Sequence, residues 1–311
     1  MPPKLSIVVP VYNEEGNVAA LHGEIKAVCE KNRYEYEIIM VDDGSQDGTS
    51  GVLQTLSPLK IILFRRNFGQ TAAMDAGIHA SSGAYIITMD GDGQNDPADI
   101  PALILALESG DRDVISGWRQ KRRDSLAKRF VSRTANFLRR FFINDGIHDS
   151  GCSLKIYRRE CFEHLTLYGE MHRFIPAILQ IKGFKIGEIV VNHRPRVHGR
   201  TKYDWRRSLK GFIDMISVWF WNKFAVRPLH LLGGVGFFSF FLGMVSTAYT
   251  VFLFMSGKSL SDTVWPILSV FFLLTGIQLF ISGLLADILS KTYYGTTRDK
   301  SYLVKQVITR G

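Results

Sequence analysis

The sequence predicts an α/β fold, a mostly parallel sheet with flanking helices, followed by an interfacial helix and a two-helix membrane hairpin. Short apolar runs alternate with stretches of helical spacing over the first two thirds of the chain. The loops after those runs are rich in Asn, Asp and Gly, and two long uncharged segments follow nearer the carboxyl end. Alternating strands and helices indicate a parallel sheet covered by helices. Uncharged runs longer than about 20 residues are typical of membrane spans.

The α/β domain is predicted over residues 1–205. Five apolar runs have the length and aliphatic content of strands: Leu5–Val11, Glu37–Val41, Lys60–Phe64, Ala84–Met89 and Asp113–Gly117. Between them, apolar residues recur at helical spacing in Val18–Cys29 and Ile100–Leu107. Because parallel strands need a crossover connection between them, this order favours one sheet with helices on its faces.

Acidic loops follow three of these runs. They read Tyr12-Asn13-Glu14-Glu15-Gly16, Asp42-Asp43-Gly44-Ser45 and Asp90-Gly91-Asp92-Gly93. Ligands of open α/β sheets bind beyond the carboxyl ends of the strands. We therefore expect the three loops to line one pocket.

The rest of the chain divides into an amphipathic juxtamembrane segment (206–228), two transmembrane helices (229–290) and a tail (291–311). One helical stripe of the juxtamembrane segment is apolar, a pattern that fits an interfacial helix or a packed core helix. Leu229–Met255 and Val264–Ala286 contain no Lys, Arg, Asp or Glu. Each exceeds the roughly 20 residues that cross the hydrocarbon layer. Ser239 and Gly243 have the spacing of small residues that let helices approach closely.

Charges around the two spans predict their orientation. Lys223 and Arg227 precede the first span, and the connecting loop has only Lys258 and Asp262. The second span is followed by Lys291, Arg298, Lys300, Lys305 and Arg310. Positive residues near membrane spans favour the cytosolic side. We expect the α/β domain and both termini in the cytosol.

The charge and cysteine content of the sequence limit the classes of partner and site that are expected. The net charge is +9, and 112–140 contains ten Lys or Arg against two Asp. Such clusters suit phosphate, acidic lipid or nucleic acid, and a solvated helix face is the alternative. The basic segments have few interleaved aromatic residues, and nucleic acid would not explain the acidic loops, so no nucleic-acid partner is expected. Three cysteines without a CxxC pair predict neither a disulfide framework nor a zinc site.

The third acidic loop, Asp90-Gly91-Asp92-Gly93-Gln94, predicts a divalent metal site. Mg²⁺ takes one or two protein carboxylates and completes its shell with substrate oxygens and water. Asp90, Asp92 and Gln94 alternate along a segment predicted to be extended, so their side chains would project to one side and share an ion. A structural turn rich in Asp and Gly is the alternative interpretation.

Four motifs in this order resemble family 2 glycosyltransferases of the GT-A fold. They are Pro10-Val11-Tyr12-Asn13-Glu14-Glu15, Val41-Asp42-Asp43-Gly44-Ser45-Gln46-Asp47-Gly48-Thr49, Arg66-Asn67-Phe68-Gly69-Gln70 and Met89-Asp90-Gly91-Asp92-Gly93-Gln94. The resemblance covers 4–205 and is greatest to the polyprenyl-phosphate group, which includes dolichyl-phosphate mannose synthase and bacterial undecaprenyl-phosphate sugar transferases. It implies a Rossmann-like sheet, a nucleoside-diphosphate sugar, a polyprenyl phosphate, a bacterial inner membrane and a homo-oligomer.

The resemblance also implies roles for individual residues. Nucleotide-sugar contacts fall to Pro10, Tyr12, Asn13, Glu14, Asp42, Asp43, Asp90, Gly91 and Lys202. Mg²⁺ or Mn²⁺ would be held by Asp90, Asp92 and Gln94. Acceptor-phosphate contacts fall to Arg119, Lys128, Arg129, Arg196, Arg200 and Lys202. Asp90, Asp92 and Asp149 are the implied catalytic residues, with Asp149 acting as a base only if the acceptor is a hydroxyl.

Two positions depart from the family pattern, and several have rival interpretations. Arg200 stands where a small or acidic residue is usual, and the spacing upstream of Asp149 is shortened. Tyr12 could pack under a loop, and Asp43 could cap a helix that begins near Asp47. Lys202 could be a solvated cation near anionic lipid.

The predicted activity is inverting transfer of a sugar from a nucleoside diphosphate to polyprenyl phosphate. The resemblance to the two-span bacterial members of the group implies UDP-glucose as the favoured donor, with GDP-mannose as the second. One alternative is transfer to a saccharide, as in a polysaccharide synthase, although the Gln-x-x-Arg-Trp motif expected there is absent. The other alternative is a membrane protein that binds sugar nucleotides without catalysis.

Overall fold

The computed structural model describes residues 4–120, 146–163, 165, 167, 171–195, 220, 223–224 and 228–296. The chain divides into two compact units, Met1–Val218 and Trp219–Gly311. Five predicted basic site residues lie outside the described residues: Lys128, Arg129, Arg196, Arg200 and Lys202. So do most of the juxtamembrane segment 206–228 and the tail beyond 296. The four-part division of the chain therefore stays a prediction.

The first unit is built on a seven-stranded sheet with the strand order β3-β2-β1-β4-β6-β5-β7. Only β6 runs against its neighbours, β4 and β5, and the other adjacent pairs are parallel. The strands are β1 (Leu5–Val11), β2 (Tyr36–Asp42), β3 (Lys60–Leu63), β4 (Tyr85–Thr88), β5 (Val114–Trp118), β6 (Lys155–Arg158) and β7 (Ile186–Val190). The predicted mostly parallel sheet with flanking helices is confirmed.

Within the described residues, five helices connect these strands: α1 (Val18–Lys31), α2 (Thr49–Leu53), α3 (Gln70–Ala80), α4 (Ile100–Ser109) and α5 (Ile175–Ile181). The pattern predicted α1 and α4, and each observed helix starts at its predicted first residue. Short 3₁₀ turns lie at Pro97–Asp99, Arg159–Phe162 and Met171–Arg173.

Strand β1 is buried along its whole length because both of its faces are covered. Side chains alternate along a strand, so Ile7 and Val9 enter one hydrophobic cluster and Val8 enters the other. The first cluster contains residues of α1 and α4, and the second contains residues of α3 and α5. The helices therefore cover the two faces of the sheet, and the loops that follow the parallel strands lie at its carboxyl edge.

The second unit contains two long helices, α6 (Pro228–Met255) and α7 (Trp265–Thr296), with a 3₁₀ turn at Leu260–Asp262. Both are long and apolar enough to cross a membrane, and most of their side chains are exposed within this chain. The predicted spans at Leu229–Met255 and Val264–Ala286 thus fall on helices. Helix α7 continues ten residues past the predicted end of its span.

The two long helices approach closely at small residues. A Cβ atom on Gly276 would lie 2.6 Å from the backbone nitrogen of Phe240. Ser269 Oγ donates a hydrogen bond of 2.9 Å to Ser246 Oγ. Ser239, one of the two small residues noted in the sequence, donates to the carbonyl of Phe272 at 3.0 Å. Glycine contacts and interhelical hydroxyl bonds of this kind stabilise helix pairs in lipid.

Candidate active site

The three acidic loops lie together at the carboxyl edge of the sheet. They follow β1, β2 and β4, which are adjacent and parallel, so their carboxyl ends lie side by side. The predicted nucleotide-sugar residues within the described part of the chain are all found here: Pro10, Tyr12, Asn13, Glu14, Asp42, Asp43, Asp90 and Gly91. The three loops lie side by side, as expected, while their lining of one pocket and their contacts with a nucleotide sugar stay predictions.

The loops after β1 and β2 are fastened to each other. Asn13 adopts a left-handed backbone conformation with φ 56°, which asparagine tolerates better than most residues. Its backbone N–H donates to Ser45 Oγ at 2.9 Å, and its Oδ1 accepts from the Gln46 N–H at 2.8 Å. The Glu14 N–H donates to Thr49 Oγ1 at 2.9 Å. The predicted binding residues Asn13 and Glu14 therefore also hold the loop pair in shape.

Asp43 organises the loop that precedes α3. Its Oδ1 accepts from the Phe68 N–H at 2.7 Å, and its Oδ2 accepts from the Gly69 N–H at 2.9 Å. The alternative that Asp43 caps the helix near Asp47 is wrong, because Asp47 Oδ1 itself accepts from the Thr49 N–H at 3.0 Å. Each carboxylate oxygen can accept a further hydrogen bond, so the nucleoside contact predicted for Asp43 stays a prediction.

Gln70 connects this loop to the acidic loop after β4. It is the first residue of α3, and its Nε2 donates to Asp90 Oδ1 at 2.6 Å. The sequence motif Arg66-Asn67-Phe68-Gly69-Gln70 contained this residue but gave it no role. The motif thus contacts two acidic loops. Its backbone N–H groups bind the Asp43 carboxylate, and its Gln70 side chain binds the Asp90 carboxylate.

Residues 90–94 form a turn, so the predicted extended alternation of Asp90, Asp92 and Gln94 is wrong. Strand β4 ends at Thr88, and Gly93 has a φ of 71°, which breaks the alternation. The Gln94 N–H donates to Asp92 Oδ1 at 3.1 Å, as in turns stabilised by an aspartate side chain. Within this turn, a Cβ atom on Gly91 would lie 2.6 Å from Val11 Cγ1, so glycine permits the close approach to β1.

The electrostatics of this turn fit a divalent cation. Burial raises the pKa of Asp90, and the nearby charge of Asp92 raises it further, against opposing effects of Ser153, Arg119 and Lys155. Repulsion between two neighbouring carboxylates in a partly buried site is relieved by a bound cation. Carboxylate oxygens are the hard donors that Mg²⁺ and Mn²⁺ prefer.

The protein would supply only part of such an ion's coordination shell. Among the residues that the structure describes, no group of three His, Cys, Asp or Glu side chains converges on a single metal position. A metal at Asp90 and Asp92 would therefore take its remaining ligands from a substrate diphosphate and water, as Mg²⁺ commonly does. The amide of Gln94 stays a predicted ligand.

Asn95 joins the acidic turn to a second segment of the site. It is almost fully buried, and its Oδ1 accepts from the Asp90 N–H at 3.0 Å. The same oxygen accepts from Ser153 Oγ at 2.7 Å. Ser153 lies just before β6, in a segment that begins with Asp149. This contact spans 58 positions of sequence, and no motif indicated it.

Arg119 and Asp149 form a buried ion pair with two parallel hydrogen bonds. Arg119 Nε donates to Oδ2 at 2.7 Å and Nη2 donates to Oδ1 at 3.0 Å. Their side chains are 10% and 9% exposed. Burial by itself lowers the pKa of Arg119, but the hydrogen bonds and charge of Asp149 raise it overall. The guanidinium therefore stays charged and is held in one orientation, which suits recognition of phosphate.

The surroundings of this pair were not predicted from the sequence. Glu188 on β7 accepts from the backbone N–H groups of His148, at 2.8 Å, and of Asp149, at 3.2 Å. The His148 ring stacks on Trp118 with centroids 4.5 Å apart. A cavity of about 260 Å³ beside the pair is lined by Arg119, Gln120, Val190, Val191, Asn192 and His193.

Comparison with known proteins identifies the family of this chain. The family model for glycosyl transferase family 2 matches residues 6–166. The chain belongs to this family. The sequence-based resemblance to family 2 glycosyltransferases and to their polyprenyl-phosphate group is thus confirmed.

Two curated relatives match nearly the whole of this family 2 glycosyltransferase. A dodecaprenyl-phosphate galacturonate synthase from Rhizobium johnstonii is 39% identical over 313 residues, covering 98% of this chain and 93% of the relative. An undecaprenyl-phosphate 4-deoxy-4-formamido-L-arabinose transferase from Pseudomonas syringae pv. syringae is 32% identical, covering 98% and 90%. The similarity therefore includes the two long apolar helices as well as the α/β unit.

Solved structures support the fold of the glycosyltransferase unit. Mannosyl-3-phosphoglycerate synthase from Rubrobacter xylanophilus matches with a TM-score of 0.58 at 18% identity, covering 70% of this chain and 74% of that one. Glucosyl-3-phosphoglycerate synthase from Mycobacterium tuberculosis, solved with Mn²⁺ and UDP-glucose, matches with a TM-score of 0.55 at 17% identity, covering 70% and 79%. The predicted GT-A fold is confirmed.

The Gln70–Asp90 hydrogen bond leads to a testable prediction for this glycosyltransferase. We expect Gln70→Ala to lower turnover about tenfold, since a hydrogen bond to a charged group contributes about 1.5 kcal/mol or more. If Asp90 holds a divalent metal, the variant should also need more Mn²⁺ for half-maximal rate, because the Asp90 carboxylate is less well oriented. Steady-state rates over a Mn²⁺ titration measure both effects. Gln54→Ala, at an exposed position, is the control, and equal rates for the two variants would refute the role of Gln70.

Proposed function

We propose that this glycosyltransferase moves a sugar from a nucleoside diphosphate to polyprenyl phosphate, with inversion at the anomeric carbon and with a divalent metal at Asp90 and Asp92. The names of the two relatives support a prenyl-phosphate acceptor. Family 2 membership supports glycosyl transfer. The Mn²⁺ in structurally similar enzymes supports the metal.

One observation carries the proposal: an acidic turn and a buried, oriented arginine lie in one connected site. The acidic turn is linked to the Asp149–Ser153 segment by Asn95, which accepts from Asp90 and Ser153. The other end of that segment binds Arg119 through two hydrogen bonds. Carboxylates with a metal suit the donor diphosphate, and a guanidinium suits a second phosphate. A reaction between two phosphate-bearing substrates needs both the acidic turn and the arginine.

The chemistry follows from the acceptor. A phosphate monoester has its second pKa near 6, so at neutral pH the attacking oxygen is already largely anionic and needs no general base. A divalent metal, when bound, offsets the charge that develops on the departing diphosphate. Arg119 would bind the acceptor phosphate and reduce its repulsion from the donor. Holding the two reactants in line makes a single displacement, which inverts the anomeric centre.

A saccharide acceptor is less well supported by the site. A hydroxyl nucleophile must lose a proton near the transition state, and Asp149 was the predicted base. Both oxygens of Asp149 accept hydrogen bonds from Arg119, so this carboxylate is used to orient the arginine. A non-catalytic sugar-nucleotide-binding protein would not need the Asp90–Asp92 pair together with this oriented cation.

The donor sugar is proposed from the relatives together with the sequence. The relatives are named for transfer of galacturonate and of 4-deoxy-4-formamido-L-arabinose. UDP-linked forms of these two sugars therefore join UDP-glucose, the donor favoured by the sequence analysis, and GDP-mannose as the donors to compare. The 39% identity to the galacturonate synthase makes the uronic acid donor our first choice.

The two apolar helices and the similarity to these relatives support an integral membrane protein. We propose that the α/β unit and both termini face the cytosol of a bacterial inner membrane, since basic residues cluster before the first span and after the second, whereas the connecting loop has only Lys258 against Asp262. A homo-oligomer, expected from the resemblance to the family, belongs to the same proposal.

The test is a transfer assay with the full chain in detergent, undecaprenyl phosphate, Mn²⁺ and each of the four sugar nucleotides in turn. Mass spectrometry should find a phosphate-linked glycolipid with one donor. Undecaprenol, which lacks the phosphate, is the matched control and should give no product. A product on undecaprenol or on a saccharide, with none on the lipid phosphate, would refute the proposal.

A further inference from the structure

A polar row of side chains crosses the sheet next to the site. Register pairing places Glu188, Ser116, Lys155 and Thr88 side by side on β7, β5, β6 and β4. Paired residues of adjacent strands lie on the same face. The next register level on the same face carries Ile186, Val114 and Ile86, two positions earlier on their parallel strands, and Tyr157, two positions later on the reversed strand β6. These four side chains belong to the hydrophobic cluster under α3 and α5. The polar row is therefore the boundary between that cluster and the site.

Members of this row bind the two ends of the Asp149–Ser153 segment. Glu188 accepts from the backbone N–H groups of His148 and Asp149. Thr88 Oγ1 donates to the Ser153 carbonyl at 2.8 Å. The segment presents Asp149 to Arg119 at one end, and it reaches the acidic turn through Ser153 at the other.

Lys155 binds the middle of the same segment. Its Nζ donates to the Ser150 carbonyl at 3.3 Å and to the Cys152 carbonyl. These two carbonyls belong to the turn that directly follows Asp149. The ammonium group therefore supplies hydrogen-bond donors to two carbonyls that belong to neither a strand nor a helix, and it connects them across the turn.

The burial of Lys155 is unusual for a lysine. The residue is 3% exposed, and among the residues that the structure describes its ammonium bonds to two neutral carbonyls and to no carboxylate. Burial lowers the pKa of Lys155, while the nearby carboxylates of Asp149 and Asp90 oppose that shift. A buried lysine costs free energy that a methionine of similar length would not. That cost indicates a role beyond filling the core.

We propose that Lys155 is a positioning residue for sugar transfer: its ammonium fixes the turn after Asp149 and so holds the Asp149–Arg119 pair in the orientation that receives the acceptor phosphate. This inference rests on the proposed function. Lys155 itself contacts neither substrate in this role. Its effect passes to the reaction through the backbone of the turn and the two hydrogen bonds of Arg119.

The kinetic test compares Lys155→Met and Lys155→Arg with the unaltered chain. We expect Lys155→Met to lower kcat/KM for undecaprenyl phosphate about 100-fold, the effect of a displacement of about 1 Å at a reacting group. The KM for the sugar nucleotide should stay within about twofold, because the acidic turn keeps its own hydrogen bonds with Gln70 and Asn95. Lys155→Arg, which keeps a buried donor, should restore about tenfold of the loss.

Ser116→Ala is the matched control. Ser116 lies beside Lys155 in the row and is fully buried, but its Oγ has no hydrogen-bond partner within the described part of the chain. Removing that hydroxyl breaks no contact with the segment, so kinetics and melting temperature should be unchanged. A rise in KM for the sugar nucleotide as large as the loss of kcat/KM for undecaprenyl phosphate in Lys155→Met would overturn the proposal, because a merely structural role would not spare donor binding.

Hydrogen exchange provides a readout that does not depend on activity. In Lys155→Met, amides of 149–153 should exchange faster than in the unaltered chain, whereas amides of β1 should not change. Lys155→Arg should lie between the two, and it serves as the test variant if Lys155→Met does not fold. Unchanged exchange of 149–153 in a folded variant overturns the proposal. Absence of any lipid product with the unaltered chain would instead refute the proposed function, while the exchange result would still decide what Lys155 holds.

Discussion

Asp92→Asn and Asp90→Asn should each reduce sugar transfer about 10²- to 10³-fold, the usual loss when one group that stabilises transition-state charge is removed. Each substitution removes one of the two carboxylates proposed to hold the cation. Excess Mn²⁺ should restore part of the rate, because a weaker site still fills at high concentration. The measurement is turnover over a Mn²⁺ titration. A chelator should abolish transfer by the unaltered chain, and added Mn²⁺ should restore it.

Measurement of folding stability distinguishes this loss of transfer activity from a loss caused by unfolding. Burial and Asp92 together raise the pKa of Asp90, so the metal-free protein is strained by two neighbouring carboxylates. Asp90→Asn removes one of these charges, and its metal-free melting temperature should equal or exceed that of the unaltered chain. Asp111→Asn changes an exposed carboxylate, 81% exposed, and controls for the chemistry of the substitution. Full activity of a folded Asp90→Asn/Asp92→Asn variant would end the metal hypothesis.

The second large effect is expected at the Arg119–Asp149 pair. Arg119→Met leaves a buried carboxylate without its cation, which costs about 3–5 kcal/mol of stability in comparable buried pairs. Asp149→Leu leaves the guanidinium in the same condition. When both are replaced together, most of the lost stability should return, because no unpaired charge remains. Chemical denaturation of the two single variants and the double variant measures this cycle.

Activity should not follow stability in that cycle. If Arg119 receives the acceptor phosphate, the stabilised double variant should transfer sugar no better than either single variant. Asp149→Asn separates orientation from base catalysis: loss of orientation raises KM for the lipid phosphate and leaves the pH profile unchanged. A pH profile that loses its acidic limb would mean that Asp149 acts as a base. A double variant with normal kcat/KM would exclude Arg119 from acceptor binding.

The sequence predicted the parts of the fold that have strong periodicity. Strand β1 was predicted with its observed bounds, Leu5–Val11, because both of its faces are buried and the run is continuously apolar. Strands β6 and β7 were not predicted. Strand β6 is four residues long with a basic residue at each end, and β7 is only partly buried at the sheet edge. Neither pattern distinguishes a strand from a loop.

The candidate site was also predicted only in part. Carboxylates that follow a strand within a few residues, such as Asp43 and Asp90, could be placed at the sheet edge from local sequence alone. The contacts that orient them could not. Asn95 with Ser153 and Glu188 with His148 join positions 58 and 40 residues apart. Such pairs depend on strand order, and the reversed strand β6, which sets that order, had no signal in the sequence.

The small-residue contact between α6 and α7 determines how the anchor responds to a change of solvent. Acyl chains are as apolar as leucine, so the hydrophobic effect does not hold two helices together inside a bilayer. Backbone approach at Gly276 and the hydrogen bond between Ser246 and Ser269 do not depend on the surrounding lipid. The hairpin should therefore keep its geometry when micelles replace the native bilayer. After detergent extraction, the enzyme would then still have α6 and α7 packed against each other.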